Sequence, residues 1–182
     1  KSSQSPEGIS DVVKMTDLVF FSTGIIGDEF PTRKIVNRIP ELVKKLRTEQ
    51  NKFVWFKAAS ALMTTDTRPK VAYEETKIGN KIIKISGVAK GSGMIAPNMA
   101  TMGAMIFTNA NIPSVFLKSI LKKVTATTFN AISVDGDQST NDSVFLFSTS
   151  KVKHGKIYNV LDPKLQDFEK ALHRLCLNLS KQ

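Results

Sequence analysis

The chain has 182 residues, and its 41% apolar and 23% charged composition is that of an ordinary globular chain, for which one domain is the default. No apolar run approaches the roughly 20 residues that cross a bilayer, Lys1-Ser2-Ser3-Gln4 opens no secretory signal, and Cys176 is the single cysteine, so the sequence reads as cytoplasmic, without membrane or internal disulfide. The net charge of +10 favours anionic partners, but the lysines are scattered and form no Arg-rich, aromatic-interleaved stripe, which argues against nucleic acid.

Residues 17–22 (Asp-Leu-Val-Phe-Phe-Ser) form a short apolar run of strand type that stops at Thr23-Gly24. Ile35, Ile39, Leu42, Val43 and Leu46 then recur at helical spacing, with Pro40 breaking or kinking the element midway. Trp55, Ala58, Ala59, Leu62 and Met63 make a second helical stripe, ending in the hydroxyl cluster Thr64-Thr65-Asp66-Thr67 before Pro69. The period changes after residue 70, where Lys70–Tyr73 and Lys81–Ile85 flank Gly79-Asn80 as two strands of a hairpin. These lead into a glycine-bearing loop. Met102 to Thr108 reads as a strand, Pro113 precedes a helix carrying Leu117, Ile120, Leu121 and Val124, and Ser143–Phe147 is a further strand. The last helix has Asp162 as N-cap, Pro163 at its first position, and Leu165, Phe168, Leu172, Leu175, Cys176 and Leu179 on one face. Strands and helices interleave, so the fold class is α/β or α+β.

The chemistry concentrates at 87–102, Gly-Val-Ala-Lys-Gly-Ser-Gly-Met-Ile-Ala-Pro-Asn-Met-Ala-Thr-Met. A threonine hydroxyl is a weak nucleophile until a base takes its proton, and a threonine at a chain terminus carries such a base in its own α-amine, whose ordinary pKa of about 7.7–8.0 leaves a neutral fraction near pH 7. Thr101 becomes terminal only if the bond after Ala100 breaks, a step its own hydroxyl can begin by attacking the Ala100 carbonyl. Gly91 and Gly93 give the loop the unusual dihedrals such a bond needs. On composition alone a threonine after an alanine is more simply the start of a strand.

The 87–102 run resembles the self-cleavage and nucleophile motif of the ornithine acetyltransferase family, the bifunctional glutamate N-acetyltransferases of arginine biosynthesis. Ser22-Thr23-Gly24-Ile25-Ile26-Gly27, Met63-Thr64-Thr65-Asp66-Thr67 and Ile132–Asp142 resemble family segments in the same order, and the likeness covers most of residues 17–148. The resemblance implies a layered α-β-β-α sandwich, like that of the related self-cleaving aminopeptidases of the DmpA type. It implies cleavage between Ala100 and Thr101 into an α-chain part, 1–100, and a β-chain part, 101–182, assembled as a heterotetramer of two α and two β chains. Thr101 is then the nucleophile that takes acetyl from N-acetylornithine and passes it to glutamate, with acetyl-CoA as an alternative donor substrate and no other cofactor. Thr23 and Gly24 match the oxyanion-hole pair, and Thr64, Lys90 and Thr101 match substrate-binding positions. Family members carry a preceding segment, then an acidic G-E-G-type segment and a C-terminal asparagine and threonine, which have no positions in these 182 residues; the expectation is an incomplete domain.

Plainer readings exist for each residue. Thr23-Gly24 can end a strand, Thr64 to Thr67 can form a helix exit with local side-chain to backbone bonds, and Lys90 can be a solvated lysine. Asp135–Asp142 places oxygens at alternate positions, but Thr140 stands where a calcium loop needs glycine and Leu146 where it needs glutamate, so the segment reads as a structural loop next to the active centre. His173 and Cys176 lie one turn apart without companion ligands, so no metal is expected. The other readings in play are a hydrolase using the same Thr101 machinery with water as acceptor, and a non-catalytic basic binding protein.

Overall fold

A computed structural model describes residues 19, 22, 27–45, 52–93, 102–136 and 142–182. The strand expected at 17–22 and the residues Thr23, Gly24, Ala100 and Thr101 lie outside the described residues; Val19 and Ser22 belong to no regular element.

The helical stripe at 35–46 becomes two short helices, α1 (Thr32–Val36) and α2 (Ile39–Lys45). Pro40 is the second residue of α2, where a missing N–H costs nothing and the ring suits the first turn. Neither helix holds a buried residue. The second stripe is α3 (Lys52–Leu62), which lies against β1 and β2, buries Ala59 fully and ends at the hydroxyl cluster.

Beyond Pro69 the chain forms β1 (Lys70–Ile78) and β2 (Lys81–Lys90), antiparallel around the expected Gly79-Asn80 turn, with Gly79 at φ +61°. Then come β3 (Gly103–Ala110), α4 (Ser114–Ala126) and β4 (Ser143–Val152). The sheet order is β1-β2-β3-β4. β2 and β3 are antiparallel, whereas β3 and β4 are parallel, and a parallel pair needs a crossover of the kind α4 supplies. Asp162 accepts the Lys164 amide at 3.1 Å, Pro163–Leu165 makes a 3-10 turn, and α5 (Gln166–Lys181) follows.

The core lies between one sheet face and the layer of α4 and α5. Ile83, Ile85, Ala89, Ala104 and Ile106 meet Phe168, Leu172, Leu175 and Leu179 there, each large side chain contributing about 1.5–3 kcal/mol when fully buried. Gly87 lets α5 approach: a Cβ at that position would stand 2.9 Å from Leu179 Cδ1 and 3.0 Å from Leu175 Cδ2. Cys176 is part of this core, and burial pushes its thiol up to about 12. His173 instead meets Thr127 Oγ1 at 3.2 Å. Phe107, alternating with Ile106, faces the other side. It stacks on Phe147 and receives the edge of Trp55 from α3, with ring centroids 5.2 Å apart in both pairs. Among the described residues no helix is long and apolar enough to cross a membrane.

Candidate active site

Three strand termini meet at one end of the sheet. The register pairs Lys90, the last residue of β2, with Gly103, the first of β3, and pairs Gly103 with Ser143, the first of β4. Whatever precedes β3 and β4 or follows β2 is therefore brought together, although these positions are far apart in sequence.

Lys90 is no solvated lysine: it is only 2% exposed, and its Nζ donates to Thr64 Oγ1 at 3.3 Å. Thr64 is held there by the loop after α3, in which Asp66 folds back so that Oδ2 accepts the Thr64 amide at 3.2 Å. Asp66 Oδ1 accepts the Gly91 amide at 2.7 Å and also pairs with the Lys70 ammonium. One carboxylate thus joins the α3 exit, the start of β1 and the end of β2. Thr65 Oγ1 and Ser92 Oγ, 2.8 Å apart, tie the same two loops together. The local bonds expected of a helix exit are present, and they serve to position Thr64.

Gly91 sits at φ +132°, a backbone state that favours glycine. Gly93 has no such φ; a Cβ on it would come within 2.9 Å of Asp135 Oδ2, a side-chain atom that can move aside.

The far side of the cluster is built by Asp142, the last residue of the oxygen-rich 135–142 segment. Its Oδ1 accepts the Met102 amide at 2.6 Å, while the Ser143 amide donates to the Met102 carbonyl at 3.1 Å. Both polar backbone groups of the residue after Thr101 are therefore fixed. Asp142 Oδ2 is buried and has no hydrogen-bond partner among the described residues.

The electrostatics follow from burial. Desolvation lowers the Lys90 pKa below the usual lysine range, against the opposing charges of Asp66 and Asp142 and with a contribution from Lys70. The Asp142 carboxyl is raised by burial, against the Met102 amide and the Lys90 charge. Burial would raise Asp66 as well, but the Lys70 ammonium and the Gly91 and Thr64 amides outweigh it and hold this carboxyl low. Lys70, Lys90, Asp66 and Asp142 balance in charge, and Lys90 can offer a cation to an incoming carboxylate.

A cavity of about 250 Å³ opens beside the cluster, lined by Lys70, Lys90, Gly91, Ser92, Met102 and Gln182 among others. A larger one of about 890 Å³ runs along α4 and β4 near His154 and Lys156. It holds none of the expected site residues, whereas Lys90 lines the smaller cavity. The two expected residues that are described, Thr64 and Lys90, are together at the strand termini. Thr23, Gly24, Ala100 and Thr101 lie outside the described residues.

The family model of the ArgJ family matches residues 5–182. The chain belongs to the ArgJ family. Among similar curated proteins, the arginine biosynthesis bifunctional protein ArgJ of Caulobacter vibrioides is 43% identical over 169 residues, 93% of this chain and 41% of that protein. Its namesake in Gluconobacter oxydans is 42% identical over 164 residues, 90% of this chain and 38% of that protein. The ArgJ protein of Neisseria meningitidis strain Z2491 is 41% identical over 169 residues, 92% of this chain and 40% of that protein. The chain spans about two-fifths of the length of the curated ArgJ relatives it matches.

Proposed function

We propose that this chain carries the nucleophile half of an acetyltransferase that moves acetyl from N-acetylornithine to glutamate in arginine biosynthesis. The observation that carries the reading is the alignment of Lys90, Gly103 and Ser143, which sets the buried Lys90–Thr64 pair beside the fixed Met102 in a member of the ArgJ family. Thr101 is joined to Met102 by one peptide bond, so its nucleophilic role fits the anchored end of that bond.

In this reading the Thr101 hydroxyl attacks the Ala100 carbonyl, the Ala100–Thr101 C–N bond breaks, and the hydroxyl proton passes to the departing nitrogen. Water then hydrolyses the resulting ester, leaving an Ala100 carboxylate and a Thr101 that bears both hydroxyl and α-amine. In turnover the α-amine takes the hydroxyl proton as Oγ attacks the acetyl carbonyl and returns it to the leaving amine of ornithine; the glutamate amine then attacks the acetyl-threonine ester. Thr23 and Gly24 supply the oxyanion donors, each worth about 2.7–4 kcal/mol to the transition state. Lys90, with Thr64, binds the α-carboxylate of either substrate. The α-β-β-α sandwich, the heterotetramer and the use of acetyl-CoA as a donor belong to the same proposal, and the α4–α5 layer on the sheet is compatible with that sandwich.

Intact-mass measurement tests it. Two species meeting at Ala100 and Thr101 are expected in wild type and a single uncut species in Thr101→Val. A wild type as uncut as Thr101→Val removes the nucleophile. Release of free acetate without transfer to glutamate makes the chain a hydrolase instead.

A further inference from the structure

One wholly buried carboxylate stands among two buried lysines and serves them unequally. Asp66 Oδ1 accepts the Gly91 amide and pairs with the Lys70 ammonium, Oδ2 accepts the Thr64 amide, and the Lys70 side chain is only 9% exposed. Lys90 is tethered to the same two anchors. It precedes Gly91 in the chain, and its Nζ donates at 3.3 Å to the Oγ1 of the Thr64 whose amide Asp66 holds. Among the described residues, however, no ion pair joins Lys90 to a carboxylate; the buried ion pair of this region is Lys70 with Asp66. An ammonium carries three donors, and opposite charges attract several times more strongly in a protein interior than in water. Lys90 therefore has both the capacity and the incentive to close on Asp66, and what stands against that closure is the cation already there.

We infer that Lys70 is a positioning residue that occupies the Asp66 carboxylate and so keeps the Lys90 ammonium available to a substrate carboxylate. The role of Lys90 toward substrate rests on the acetyl-transfer reading above. The charges that face Lys90 are Asp66 and Asp142, which attract it, and Lys70, which repels it; Lys181 at the end of α5 lines the same cavity and is exposed. Lys70 acts on both sides of that balance, since it neutralises Asp66 and pushes Lys90 away. Asp142, whose Oδ1 is taken by the Met102 amide, keeps its place whether Lys70 is present or not. Lys70 also lines the 250 Å³ cavity, but its ammonium is spent on Asp66 and it acts through Lys90. Without Lys70, Asp66 keeps its two amides and lacks a cation, and the cation held at the same two anchors is Lys90. A substrate carboxylate must then compete with an internal one.

The test uses the full chain with 13C-labelled lysine, the Lys90 Cε resonance being assigned by its loss in Lys90→Met and titrated by NMR. In wild type the Lys90 midpoint is expected below the ordinary lysine value of about 10.4, where burial and the Lys70 charge hold it. Lys70→Met is expected to raise it by about one unit or more, the shift a captured opposite charge produces. Lys70→Met with Asp66→Asn should return it to the wild-type value, because no carboxylate is left to capture Lys90. KM for glutamate should follow, roughly tenfold higher in Lys70→Met at unchanged kcat, the worth of one hydrogen bond to a charged group, and restored in the double variant. A merely structural Lys70 would leave the Lys90 midpoint where it was. A midpoint in Lys70→Met equal to or below that of wild type overturns the inference. A raised midpoint with an unaltered KM overturns its substrate half and removes Lys90 from the carboxylate, while a chain that transfers no acetyl fails the function proposed above and leaves the midpoints to decide whether Lys70 restrains Asp66. Should Lys70→Met fail to fold, the wild-type midpoint decides: at or above the ordinary lysine value, Lys90 is already paired and the inference falls.

Discussion

Replacing Asp66 by alanine removes three interactions at once. The side chain is wholly buried, it pairs with a Lys70 whose side chain is 9% exposed, and it accepts the amides of Thr64 and Gly91. Taking one partner from a buried ion pair leaves the other uncompensated, at a cost of about 3–5 kcal/mol. For a chain of this size that lowers Tm by roughly 6–20 °C. Thermal unfolding at pH 7, followed by circular dichroism, measures it. Much of the loss comes from the stranded lysine, so Lys70→Met should recover part of it in the Asp66→Ala background while costing stability in wild type, a coupling of about 0.5–3 kcal/mol. An Asp66→Ala chain melting within 2 °C of wild type, at roughly 2–4 °C per kcal/mol, or a Lys70→Met cost equal in both backgrounds, would deny the buried pair this role.

Leu175→Ala in α5 should destabilise by about 2–5 kcal/mol, seen as a lower urea midpoint, since Leu175 is fully buried; an unchanged midpoint would deny α5 its place in the core. Lys90→Met should leave Tm unchanged or raise it, because a desolvated ammonium is removed, while KM for glutamate rises roughly ten- to hundred-fold, the worth of a hydrogen bond to a charged group; an unaltered KM would exclude Lys90 from substrate. The two aspartates should respond oppositely to acid. The Asp66 carboxyl is lowered from its ordinary 3.8 in the fold, so its stabilisation is present above that value and fades as pH falls through the lower folded value. The Asp142 carboxyl is raised from 3.8, so the folded uncut chain keeps a proton that the unfolded chain has lost, and acidification through that window stabilises it. Denaturant titrations of Thr101→Val from pH 7 to pH 3 should show the second component disappear with Asp142→Asn; an identical pH profile in the two chains would contradict the assignment.

The parts of the fold that sequence makes legible are those with local causes. The Gly79-Asn80 turn between alternating residues announces the β1–β2 hairpin, and Asp162-Pro163 with a helical apolar stripe announces α5. The break at Pro40 is legible too, although the helix divides just before the proline, at Asn37-Arg38, because the ring is acceptable in the first turn of α2. At the site, Lys90 and Thr64 could be named from the family likeness, but their burial and contact could not. The contact depends on Asp66 reaching Gly91 across 25 residues, and no spacing rule signals that. Asp142 was hidden in the same way. In sequence it belongs to a loop rich in oxygens, and its meeting with Met102, 40 residues earlier, arises only from the register of β3 and β4.

That register has a consequence for timing. The Met102 anchor does not exist until α4 has been laid down and β4 has docked in parallel beside β3, a non-local pairing of the kind that forms slowly. In the proposed reading, the scissile Ala100–Thr101 bond next to such a joint stays silent in nascent and half-assembled molecules. Self-cutting there would act as an internal proofreading clock, arming the nucleophile only in molecules whose crossover has closed, and the ratio of cut to whole chain in a refolding time course would count finished molecules directly.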